Sequence, residues 1–112
     1  MTPILISSNG SDRATGDNMS NKLILTSDAL YTGWLDAPDH QGDTAKIQFG
    51  TFDPQSGEKQ SSHIIGEGID NHCGPALAMD PAGRLHALIG AHHGPFLYRW
   101  SDNPSDPESW SP

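Results

Sequence analysis

The stretch DNHCGPALAMDPAGRLHALIGAHHGPFLYRWS, Asp70 to Ser101, decides how the rest of the chain reads. At its centre "DPAGR" separates two short apolar runs, "PALAMD" (Pro75–Asp80) and "RLHALIGAHH" (Arg84–His93). Asp, Pro and Gly bring turn chemistry, and a three-residue loop Pro81-Ala82-Gly83 with Gly83 left-handed is a common closure of an antiparallel hairpin. Such a loop centres the hairpin on Ala82, so residue i faces residue 164 − i. Asp80 then faces Arg84 as a pair beside the turn and, carried outward, His72 faces His92. Directly opposed residues have Cβ atoms about 5 Å apart. A bulge at Gly74, Pro75 or Gly90 would shift the pairing by one and favour His93 instead.

Four of the six histidines lie in this stretch: His72, His86, His92 and His93. Alternation puts His86, Leu88, Gly90 and His92 on one face of the strand and Leu85, Ala87, Ile89, Ala91 and His93 on the other. At strand rise, His86 and His92 are roughly 20 Å apart and cannot share a ligand. His86, flanked by leucines, reads as a satisfied core histidine. His63 reads as structural or surface, and His40, in a polar loop, as solvated. The pair at the strand mouth, His72 and His92, carries the chemistry, with Asn71 and His93 beside it as substrate-binding residues. Zinc is disfavoured: the spacing fits no standard motif, and Cys73, next to His72, is expected to point to the opposite face. A metal-free histidine site is therefore expected, with no cofactor, and a structural metal ion in the parent is left open.

Working outward, the same pattern recurs. "KLILTS" (Lys22–Ser27), "ALYTGWLD" (Ala29–Asp36), "KIQFGTFD" (Lys46–Asp53) and "SSHIIGEG" (Ser61–Gly68) read as strands, joined by the turn clusters "APDHQGDT" and "PQSGEK". The second set adds "PFLYRWSD" (Pro95–Asp102), and "ESWS" reads as the start of a fourth strand. Leu23–Ser27 corresponds to Ala76–Asp80, Leu30–Asp36 to Leu85–Ala91 and Lys46–Phe52 to Phe96–Ser101, at an offset of about 50 residues. A period of that size, built of four short antiparallel strands, suits a β-propeller blade. The expected organisation is a mostly looped segment 1–21, a first blade 22–68 and a second, incomplete blade 69–112. Trp34, Trp100 and Trp110 are assigned to packing between blades rather than to sugar stacking.

Composition agrees with an all-β reading. Of 112 residues, 12 are glycine and 9 proline, and only 34% are hydrophobic; such a chain favours short strands and turns over long helices. Its abrupt ends, with "DPESWSP" running into the C-terminus, read as those of a fragment of a larger all-β protein, about one and a half to two blades of a propeller. The remaining blades of the parent chain would then be its neighbours. A formal charge of −8, from 14 acidic and 6 basic residues, disfavours nucleic acid and anionic membrane as partners, since both need a basic footprint. It leaves an anionic sugar open, because one local arginine can serve a carboxylate. The single cysteine forbids an internal disulfide. No apolar run approaches a membrane span, and "MTPILISSNG" lacks the basic start and apolar length of a signal peptide.

The Asp70–Pro104 stretch resembles the signature hairpin of BNR-repeat-containing proteins related to ulvan lyases, which are seven-bladed β-propellers. The family pattern of His-Asn, Pro-Ala-Leu, an Asp-x-x-Gly turn, a hydrophobic-His strand, Gly-x-His and Tyr-Arg-x-Ser reads here as His72-Cys73, Pro75-Ala76-Leu77, Asp80 to Gly83, Leu85-His86, Gly90-Ala91-His92 and Tyr98-Arg99-Trp100-Ser101. The match covers about a third of the chain. Cys73 departs from the family's asparagine. The lyases' tyrosine and carboxylate-binding arginine come from later blades, so Tyr98 and Arg99 do not take those roles. The resemblance implies a secreted or periplasmic polysaccharide lyase that cleaves an anionic, uronate-containing glycan by β-elimination. His72 would be the base and His92 its partner, since neutral imidazole suits proton abstraction near pH 7. A non-catalytic carbohydrate- or protein-binding propeller is the alternative. A sialidase-like glycoside hydrolase fits less well, because Asp70 is the only acid close to the pair.

Overall fold

A computed structural model describes residues 2–11, 13–15, 20–37, 44–90 and 92–112. Its strands are β1 (Leu23–Leu25), β2 (Leu30–Asp36), β3 (Ala45–Phe52), β4 (Lys59–Gly68), β5 (Ala76–Met79), β6 (Leu85–Ile89) and β7 (Leu97–Ser101), followed by a 3₁₀ turn at Pro107–Ser109. They form two antiparallel meanders, a four-stranded sheet β1-β2-β3-β4 and a three-stranded sheet β5-β6-β7. The all-β architecture is thus as the sequence predicts. The loop holding His40 and the position of Ala91 lie outside the described residues.

Turn chemistry sets the registers. Between β5 and β6, Asp80 accepts the N–H groups of Ala82 (2.9 Å) and Arg84 (3.0 Å) on Oδ1. Gly83 adopts φ 86°, the left-handed conformation that closes a three-residue loop. The ladder that follows pairs Met79 with Leu85, Ala78 with His86, Leu77 with Ala87 and Ala76 with Leu88, the register centred on Ala82. Asp80 faces Arg84 beside the turn as expected, its N–H donating to Arg84 O (3.0 Å), but the two side chains do not form an ion pair. The Arg84 guanidinium instead forks onto Asp102 (2.7 and 3.0 Å) and lies 4.2 Å over the Trp100 ring. Between β3 and β4, the Asp53 carboxylate accepts from Gln55 and Ser56, and Gly57 supplies φ 74°.

Two strand expectations need correction. The run Arg84–His93 is a strand only over Leu85–Ile89, because Gly90 turns the chain at φ 77° and His93 again at φ 53°. The "ESWS" segment is no strand: Trp110 makes a single bridge to Ser101 beyond the 3₁₀ turn. Asp106 caps that turn by accepting the Glu108 N–H, and Pro107 fits its first position. At the other end of the chain the described residues before Lys22 form no strand, apart from a single bridge between Gly10 and Asp36. The segment nevertheless lines the edge of β2, with bonds from the Ser11 N–H to Leu35 O and from the Leu35 N–H to Ala14 O.

Alternation selects the core. Leu35, Ile47, Phe49 and Ile65 of the first sheet meet Leu77, Leu85, Ala87 and Ile89 of the second, with Trp110 closing the cluster. The indole of Trp110 packs edge-on against Phe49 at 5.0 Å and donates to Pro104 O. Arg99, pointing inward from β7, donates to the carbonyls of Ile65 (2.8 Å), Trp110 and Ser111, which ties the second sheet to β4 of the first. His86 faces the other way. It is not a core residue but half-exposed on the outer face, because its even-numbered position in β6 alternates away from Leu85, Ala87 and Ile89.

Candidate functional site

The histidine cluster forms where both sheets run out of strand. After Gly68 ends β4, residues 69–72 turn sharply, with the Cys73 N–H reaching Asp70 O and the His72 N–H reaching Asp70 Oδ1 at 2.8 Å. This is the usual way an aspartate nucleates a turn, its carboxylate accepting a backbone N–H two residues on. From the other sheet, the Gly90 bend carries His92 back over the same turn. Its Nδ1 lies 2.6 Å from Asp70 Oδ2.

Asp70 is therefore the hub. His72 Nδ1 stands 3.4 Å from Oδ1, and the Cys73 thiol reaches the same oxygen at 3.7 Å. The rings of His72 and His92 meet with centroids 4.6 Å apart and planes 35° from parallel, while His93 packs on His92 at 3.9 Å. Desolvation works against ionisation of Asp70. The His72 N–H, the His92 hydrogen bond and the nearby imidazoles outweigh it and hold its pKa at about 2. The carboxylate is thus charged at any physiological pH. With Nδ1 of His92 engaged by a carboxylate, Nε2 is the nitrogen left for other chemistry.

The two imidazoles expected to meet do meet, although not as a cross-strand pair. The ladder ends at Ala76–Leu88, and Gly74, Pro75 and Gly90 lie outside it. A shared carboxylate, rather than strand register, joins the rings. Asn71, expected to bind substrate, occupies the same turn and is half-buried; His93 is exposed beside His92. Cys73 does not point away. It is fully buried, because alternation of side chains applies to a strand and not to a turn, and its Sγ lies with Asp70 and His92 in a group whose donor atoms are all within 4.8 Å of one another. Gly68 makes room for it: a Cβ there would stand 2.2 Å from the Cys73 Cβ. The argument against zinc that rested on Cys73 facing elsewhere accordingly falls.

A second polar chain was hidden in the sequence. On the outer face of the second sheet, Tyr98 Oη and His86 Nδ1 are 2.6 Å apart, and His86 Nε2 lies 3.2 Å from Asp80 Oδ2. Cross-strand geometry could have found it, since Tyr98 pairs with Leu88, one step along the same face from His86. An apolar groove of about 270 Å³ lies beside these groups, lined by Leu77, Ala87 and Leu88 among others. Another groove of about 360 Å³, with Trp34, Asp36, Gln48 and Lys59 in its walls, lies on the first sheet away from the histidine cluster. Trp34 is buried and donates its indole N–H to Asp36, which commits it to structure.

No family model, curated protein or solved structure matches the chain. No helix among the described residues is long and apolar enough to cross a membrane.

Proposed function

We propose that the chain is the histidine-bearing part of a β-propeller polysaccharide lyase that cleaves a uronate-containing anionic glycan by β-elimination. The observation that carries this reading is the His72–His92 pair, rings 4.6 Å apart over Asp70. Both side chains keep roughly a third of their surface open, 33% and 29%. A base needs that combination of fixed orientation and access to its proton.

In the proposed reaction His72 removes the proton from C5 of the uronate. The electron pair forms the C4–C5 double bond as the C4–O4 bond breaks, and a proton returns to O4 of the departing sugar. His92, held through Nδ1 by Asp70, positions its partner and the glycan, with Asn71 and His93 as further contacts. The group that neutralises the uronate carboxylate, and the tyrosine that shares proton transfer, would come from further blades of the parent. The two meanders of like topology support the propeller reading. So do the exposed apolar residues Leu88 and Tyr98, neighbours on the outer face of the second sheet, which a following blade would cover. A sialidase-like hydrolysis finds less support, because Asp70 is committed to the His92 ring and the His72 backbone N–H. Secretion or a periplasmic location would bring such an enzyme to its substrate.

The test is incubation of the full-length parent, with all its blades, with uronate polymers, followed by ultraviolet absorbance of the C4–C5 unsaturated product. The expected result is product formation that His72→Ala abolishes while circular dichroism stays unchanged, since the buried core is built from Leu77, Leu85, Ile89 and their neighbours and does not include His72. An unchanged rate in His72→Ala, or no unsaturated product from any uronate polymer, overturns the reading.

A further inference from the structure

The turn after β4 and the bend after β6 bring together three different donor types: the carboxylate of Asp70, the thiol of Cys73 and the imidazole of His92, all within 4.8 Å of one another. We infer that these three side chains form a binding site for one zinc-class divalent cation. The inference does not depend on the lyase reading.

The donor set makes the selection. Hard cations such as calcium and magnesium take six or more oxygens, and only Asp70 offers any here. Thiolate with imidazole and one carboxylate suits zinc or a neighbouring first-row ion. The packing fits the same reading. Cys73 is completely buried, and the polar neighbour of its thiol is the Asp70 carboxylate, with Oδ1 at 3.7 Å. A cation between them lets both act as anionic ligands. Gly68 opens the space that Cys73 fills, so the thiol is placed at the cluster by close packing rather than left there by a flexible loop.

The geometry needs little adjustment. Asp70 Oδ2 and His92 Nδ1, now 2.6 Å apart, would stand about 3.3 Å apart around a tetrahedral ion with bonds of about 2.0 Å. Binding replaces the proton between them and releases the thiol proton of Cys73. Three protein ligands leave one tetrahedral position for water. His72 Nδ1 is buried, has no hydrogen-bond partner among the described residues and lies 3.4 Å from Asp70 Oδ1. Its N–H would donate to the oxygen of that water, a second contact of the kind that orients metal-bound groups. His72 would thereby keep Nε2 unprotonated and stay outside the ligand set.

The probes are zinc and cobalt(II) added to the purified protein without substrate. One cobalt per chain is expected, with a thiolate-to-cobalt charge-transfer band and the intense visible bands of tetrahedral coordination. Cys73→Ser should remove the charge-transfer band, and His92→Ala should weaken zinc binding by at least about tenfold. His86→Ala, whose ring is bound to Asp80 and Tyr98 instead, should leave both unchanged. Absence of a thiolate band in the unaltered protein overturns the assignment even if a Cys73 variant fails to fold. Full-strength zinc binding in His92→Ala overturns it as well. No glycan enters the measurement, so its outcome is separate from that of the cleavage assay.

Discussion

At the scale of single residues, the clearest consequence lies at His63, away from the histidine cluster. Its ring sits between Phe49 (5.7 Å) and Trp110 (6.2 Å), and its Nε2 is buried without a hydrogen-bond partner among the described residues. Burial lowers its pKa first, and the Arg99 charge lowers it further; Asp106 opposes both without cancelling them. The folded state therefore holds His63 neutral at pH values where the unfolded chain, titrating near about 6.5, already takes up a proton. Its contribution is intact above that pH and is lost as pH falls toward the lower folded value. Denaturant midpoints should drop across this window, before the carboxylates titrate. His63→Phe should flatten that part of the profile, and an unaltered slope in the variant would show that another group governs it.

At the scale of elements, Arg99 and Trp110 link what would otherwise be two separate sheets. The guanidinium donates to three carbonyls, one on β4 and two beyond the 3₁₀ turn. Hydrogen bonds from a charged donor contribute about 1.5–3 kcal/mol, and removing the donor leaves partly buried carbonyls unpaired. Arg99→Met, which keeps the stem, should cost about 2–3 kcal/mol in equilibrium unfolding. The loss should fall on the joint between sheets, with hydrogen exchange rising in β4 and β7 before the β2–β3 ladder. Uniform loss of protection would argue that the sheets unfold as one unit regardless of Arg99.

At the scale of the whole molecule, the two sheets share one core yet leave large apolar residues outside it. Leu23, Leu25, Ile64, Leu88, Leu97 and Tyr98 are all more than 40% exposed. A chain that small with so much apolar surface has a limited core and a sheet face that another surface can cover. The protein should associate with rising concentration, as light scattering or sedimentation would show. Replacing Leu88 and Leu97 with lysine should suppress the effect without lowering stability, since neither belongs to the buried cluster. A strictly monomeric chain at high concentration would count against the missing-blade reading.

Local chemistry was enough to settle the hairpin. Asp80, Pro81 and Gly83 specify a three-residue turn within five positions, so the β5–β6 register followed from the sequence, as did the seven strand positions and the buried face of Leu85, Ala87 and Ile89. The meeting of His72 and His92 was also expected, but for an incomplete reason. Extending the ladder through Gly90 and Gly74 assumed extended backbone where glycine permits φ 77° instead, and periodicity ends at such residues. What the ends of strands do depends on which groups from distant segments converge there. Only the tertiary structure placed the Asp70 carboxylate under both rings, turned Cys73 inward beside them, moved Arg84 from Asp80 to Asp102 and set His86 on the outer face with Tyr98. Each of these contacts joins residues whose spacing carries no periodic signal, and a turn has no alternation from which a side chain's direction can be read.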